Sequence, residues 1–131
     1  MTWLAIAAGG TLGAAARLGV AALLPVATGA FPWATLWVNC AGSLVLGFVL
    51  VLLVVRFPPT RFVRPFIATG FLGAFTTYST FAVETDLLVV RGRPLLATVY
   101  VVGTLVAGFA ALWTGVKLAG LVAARAQRTP A

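Results

Sequence analysis

Long apolar runs alternate with short polar interruptions along this chain, and the alternation constrains the fold before any residue chemistry is considered. The apolar windows cover roughly 3–24, 33–55, 62–90 and 95–122. Each reaches the ~20 residues that cross a ~30 Å hydrocarbon core as a helix. Turn chemistry separates them: Pro25 to Pro32 with Gly29, then Arg56-Phe57-Pro58-Pro59-Thr60-Arg61, then Arg91-Gly92-Arg93-Pro94. Connections this short predict antiparallel neighbours. Residues 1–131 therefore read as one four-helix membrane domain, closed by a polar C-terminal tail at 123–131.

The third run breaks its own pattern. Gly70-Phe71-Leu72-Gly73-Ala74-Phe75-Thr76-Thr77-Tyr78-Ser79-Thr80-Phe81 places four hydroxyl side chains near the middle of an apolar segment. A lipid-facing helix has no use for them, so they point to an ion site, a watered path or a helix break. An unbroken helix of about 29 residues would be ~43 Å long, well beyond the hydrocarbon thickness. An interruption near Gly73–Thr77 is therefore expected. It would leave carbonyl oxygens unpaired at membrane depth, where a small cation could satisfy them. The fold class predicted is an all-α integral membrane protein with four transmembrane helices, the third broken.

Composition strengthens this reading. Of 131 residues, 62% are hydrophobic and 8% charged, with a mean hydropathy of +1.11, whereas soluble domains carry roughly a quarter charged residues. Nine Lys and Arg against two Asp and Glu give a net charge of +7. The bases are dispersed at helix ends, which reports topology rather than nucleic-acid binding. Arg56, Arg61, Arg64, Arg125 and Arg128 fall on the side of the termini, near Lys117, whereas Arg91 and Arg93, with Arg17 close by, fall on the other. That modest excess favours cytoplasmic termini and is compatible with insertion in both orientations. No basic residue precedes the first apolar stretch, which continues past Arg17, so a cleaved signal peptide is not expected. Cys40 stands alone and reads as small core filler, and there is no His, so neither a nucleophile–base pair nor a metal-ligand set is apparent.

A bundle of four helices offers little interior in which to conceal polar side chains, so a second copy is expected to supply a missing wall. The pairs Gly9/Gly13 and Gly103/Ala107 suit close helix approach. Arg17 either snorkels to headgroups or supplies a fixed positive charge at a vestibule. Asn39 is either interhelical glue or a pore-facing donor, with Ser43 on the same helical face. Thr76, Thr77, Ser79 and Thr80 either bond carbonyls of the preceding turn or replace hydration around an ion. Tyr78 and Phe81 share a face, as core or as rings whose positive edges can meet an anion. Tyr100 and Thr104 could add a hydroxyl line. Glu84 is a span-end carboxylate or a partner for Arg17, and Asp86 is interfacial.

Taken together these residues resemble the Fluc/CrcB family of fluoride channels over nearly the whole chain. Its glycine-rich first helix ending in Gly-Ala-x-x-Arg is similar to Gly13-Ala14-Ala15-Ala16-Arg17, and its Thr-Leu-x-Val-Asn-x-x-Gly segment to Thr35-Leu36-Trp37-Val38-Asn39-Cys40-Ala41-Gly42. Its Gly-x-x-Gly-x-x-Thr-Thr-Phe-Ser-Thr-Phe signature is matched by Gly70 through Phe81, with Glu84 following.

The resemblance implies an antiparallel, dual-topology dimer in the cell membrane, a fluoride pore exporting the ion passively, and a structural sodium ion that is not transported. On that basis the sodium is held by the carbonyls of Gly73 and Thr76. The fluoride path carries over to Asn39, Tyr78, Ser79, Thr80, Phe81, Tyr100 and Thr104, with Arg17 and Glu84 as vestibule or structural charges. Tyr78 departs from the pattern, which has phenylalanine there. The departure raises the alternative of a non-conducting subunit paired with a paralogue. The other alternative, a proton-coupled cation or multidrug exporter, depends on a glutamate in the first helix. This chain has no acidic residue before Glu84.

Overall fold

The computed structural model describes residues 1–27, 29–55 and 61–127, and every element in it is helical. α1 is Thr2–Leu23 and α2 is Trp33–Val55. The third span opens as a π-helical segment, Pro65–Leu72, runs into a single α-turn, α3 (Gly73–Phe75), and resumes after a break as α4 (Tyr78–Val90). α5 is Pro94–Gln127. Among the described residues, four helical segments are long and apolar enough to cross a membrane: Thr2–Leu23, Trp33–Val54, Pro65–Val90 and Pro94–Arg125. The protein is a multi-pass membrane protein.

Proline positions the starts. Pro65 and Pro94 each occupy a first helical position, where the missing N–H is not needed and the fixed φ already suits the helix. At the other end, α5 continues past the expected boundary at residue 122. Residues 123–127, expected as the start of a polar tail, are helical, and Ala123 is buried. Ala, Arg and Gln are strong helix formers, which explains the extension. The 34 residues of α5 span about 51 Å at 1.5 Å each, longer than a hydrocarbon core. Arg56, most of the second connection, and Arg128 with the rest of the tail lie outside the described residues.

The spans pack as two parallel pairs. α1 lies along the first half of the third span, where Gly9 faces the Phe66 carbonyl and Gly13 the Phe71 carbonyl. A Cβ at Gly13 would overlap that carbonyl, so the backbones touch as small residues allow. α2 lies along α5, with Gly115 against the Leu44 carbonyl and Gly47 against that of Leu112. Of the two small-residue pairs read from sequence, Gly9/Gly13 makes such a contact. Gly103 meets nothing within 4 Å, because the α5 contact with α2 runs through Gly115 instead.

α4 folds back on α5 after the turn at Arg91–Gly92, joining Leu88, Ala97 and Tyr100 in a small core against which Phe31, Leu36, Phe81 and Leu96 pack. Among the described residues, Tyr100 and Leu88 are the large side chains that are fully buried, whereas Leu12, Phe109 and Trp113 stand outward. A soluble protein would hide such residues; here lipid or a partner meets them.

Candidate functional site

The break between α3 and α4 is the structural centre of the site. Thr76 and Thr77 both adopt extended backbone, at φ −71°, ψ 155° and φ −144°, ψ 121°. Gly42 of α2 makes room for them, since a Cβ there would collide with the Thr76 methyl group. Asn39, one helical turn before Gly42, closes on the break reciprocally. Its Oδ1 accepts from the Thr77 N–H at 2.9 Å and its Nδ2 donates to the Thr77 carbonyl at 3.0 Å. The interhelical reading of Asn39 is thus realised. An amide carries two N–H donors, so one remains for another acceptor.

Side chains also cap the start of α4. The Thr77 hydroxyl accepts from the Thr80 N–H at 3.1 Å and donates to the Thr80 hydroxyl at 2.9 Å, with the Ser79 hydroxyl 3.3 Å away. These bonds change what the preceding carbonyls can do. In a continuous helix the Thr77 N–H would serve the Gly73 carbonyl and the Thr80 N–H that of Thr76. Here Asn39 and the Thr77 hydroxyl take those two donors. Gly73 and Thr76 therefore lose their helical partners and offer oxygens of the hard kind that small cations prefer. Among the described residues no group of three or more His, Cys, Asp or Glu could hold a metal, so a cation here would rest on backbone oxygens.

A cavity of about 360 Å³ opens beside the break, between α2, α4 and α5. Asn39 and Ser43 line it from α2, Thr76, Thr77, Tyr78 and Phe81 from the third span, and Thr104 and Gly108 from α5. The Thr104 hydroxyl is buried and has no hydrogen-bond partner among the described residues. Tyr78 is 80% exposed and its ring centroid lies 6.1 Å from that of Phe81. Tyr78 is therefore not core, and with Ser79 and Thr80 it lies on an open face of this chain.

Tyr100 stands elsewhere. It is fully buried, its ring lies 5.2 Å from Phe81 and 5.4 Å from Phe31, and its hydroxyl donates to Glu84 Oε2 at 2.7 Å. Thr35 donates to Glu84 Oε1 at 3.0 Å. Glu84 thus receives two hydroxyls rather than Arg17, and the Arg17–Glu84 pair considered from sequence does not form. Arg17 is half-buried on α1, which packs on the π-helical segment.

Glu84 also borders a second cavity of about 200 Å³ with Gly29, Pro32, Leu88 and Arg91. The Arg93 guanidinium ties the loops there by donating to the Gly29 carbonyl at 2.9 Å. Thr35 joins the site through Glu84, and its place one turn before Asn39 is the signal for it in the sequence.

A chain with this break and these donors matches a known family. Residues 4–116 match the family described as CrcB-like protein, Camphor Resistance (CrcB). The chain belongs to the CrcB family. Two relatives from Streptomyces avermitilis, named fluoride-specific ion channels FluC 3 and FluC 2, are 43% and 46% identical over 97% and 76% of this chain. The aligned parts cover 62% and 63% of those relatives, so the chain spans about three fifths of their length. A fluoride-specific ion channel FluC from Paracoccus denitrificans is 44% identical over 89% of this chain and 93% of its own length.

Proposed function

We propose that this CrcB-family chain forms a passive, fluoride-selective channel when two copies assemble antiparallel in the membrane. The observation that carries the reading is the Thr104 hydroxyl, buried without a partner on a cavity it shares with the spare Asn39 N–H and the Tyr78 and Phe81 rings. An orphaned buried donor costs free energy unless something accepts from it. A small anion is such an acceptor.

Fluoride holds its water tightly, and a bare ion in a low-dielectric interior costs tens of kcal/mol, so a pore must offer donors in place of hydration. Asn39, Thr104 and the ring edges provide them without a fixed positive charge that would trap the ion. From the cavity the route passes Phe81 towards Tyr100, Thr35 and Glu84, and leaves by the smaller cavity at Arg91. Ser79 and Thr80, on the open face, line the path once a second copy covers them. An inside-negative potential drives anions outward at ~2.3 kcal/mol per charge per 100 mV, so export requires no further energy source.

The released carbonyls of Gly73 and Thr76 fit a structural sodium ion shared between two copies. Its chemistry there would be charge alone: a fixed cation that compensates backbone oxygens at membrane depth.

Liposomes containing the purified chain, loaded with fluoride and treated with valinomycin, test the function. Fluoride release without chloride release is expected. Failure of folded, assembled protein to release fluoride would overturn the reading and favour a subunit that conducts only beside a paralogue.

A further inference from the structure

α2 and α5 run parallel, and their polar positions form rungs one helical turn apart. Thr35 and Tyr100 meet on Glu84, and Asn39 and Thr104 line the same cavity four residues further along each helix. Four residues beyond those stand Ser43 and Gly108, also on that cavity. The Ser43 oxygen lies 3.8 Å from where a Gly108 Cβ would be, so the two positions face each other. Gly108 brings no side chain, and the surrounding wall is Leu46, Leu105, Phe109 and Leu112. The third rung therefore has one polar group.

We propose that Ser43 is an anion-coordinating residue of this channel, its hydroxyl receiving fluoride from Asn39 and Thr104 at the apolar end of the cavity. The assignment rests on the channel reading above. Threonine and serine in membrane helices commonly return their hydroxyl to a carbonyl of the preceding turn, as Thr11, Thr85, Thr98 and Thr114 do here. Thr104 does not, although its hydroxyl is buried. A buried hydroxyl left without a partner on a largely apolar wall is a donor held for an ion, and Ser43 extends that donor line by one turn. Without it, an anion leaving Asn39 and Thr104 would meet only leucine and phenylalanine carbon, and its desolvation would be uncompensated.

Three variants test this by fluoride efflux from liposomes. Ser43→Thr keeps the hydroxyl, and Ser43→Val has nearly the shape of that threonine with a methyl group in place of the hydroxyl. The Val variant should conduct at least about tenfold more slowly than the Thr variant, as for loss of one hydrogen bond to a charged group. Adding Gly108→Ser to Ser43→Val restores a hydroxyl from the opposite wall and should recover much of the rate, which a merely structural role for Ser43 would not produce. Equal rates for the Thr and Val variants, with wild type conducting, overturn the Ser43 assignment alone. A wild-type chain that releases no fluoride overturns the channel reading and this assignment with it.

Discussion

Asn39 is bound to both polar groups of the Thr77 backbone, so its side chain holds the break open and still has a donor to spare. The isosteric change Asn39→Asp separates these two duties. A carboxylate can accept from the Thr77 N–H but cannot donate to its carbonyl, which leaves a part-buried acceptor unpaired at a cost of about 1–3 kcal/mol. It also places a negative charge on the proposed anion path. Fluoride efflux from Asn39→Asp liposomes is expected to fall at least tenfold, and an unchanged rate would remove Asn39 from the path. Phe81, which lines the cavity and touches the Tyr100 ring, gives the complementary case. Phe81→Ile keeps apolar volume but removes the electropositive ring edge. Its efflux should drop while its elution in size-exclusion chromatography stays that of the wild type.

At the scale of the element, the third span is stable as two pieces because side chains replace the helical bonds it gives up. Thr77 caps α4 through the Thr80 N–H. Thr77→Ala removes that cap and should lower stability by about 1 kcal/mol, the usual value of a helix N-cap. A lower midpoint in detergent thermal unfolding would show it. Gly13 tests the other half of the span. Gly13→Val would drive a branched side chain into the Phe71 backbone, separating α1 from the π-helical segment. A marked loss of folded yield is expected, whereas Gly103→Val on α5, where no atom lies within 4 Å, should fold normally as a single subunit.

For the whole molecule, Gly73, Ser79 and Thr80 lie on an exposed face, and the open side of the cavity needs a wall. An antiparallel second copy would supply it. In a Cys40→Ser background, a cysteine introduced at Arg93 reports orientation by labelling intact cells with an impermeant thiol reagent. If both orientations occur, about half of the molecules should be labelled; complete labelling or complete protection would argue for one fixed topology.

Four spans, their short connections and the place of the break were legible in the sequence because each depends on local composition. Apolar length fixes a span, and proline and glycine mark its ends. A run of hydroxyls beside Gly73 marks where helix bonding can be given up, and Asn39 from α2 then takes the released Thr77 groups. The same local rules missed the π-helical opening of the third span, for which we have no account in the pattern of Pro65–Leu72, and ended α5 too early.

Pairing across the bundle could not be read that way. Asn39 and Thr77 are 38 residues apart, Thr35 and Glu84 49. Their meeting depends on the register in which α2 lies against the third span and α5. Register is set by where glycines let backbones touch and by which polar groups can satisfy one another out of water. The residue types alone therefore determined a broken four-helix membrane protein with anion-competent donors. Only tertiary packing decided that Glu84 would take Thr35 and Tyr100 instead of Arg17, and that Thr104 would be left with a free hydroxyl on the cavity.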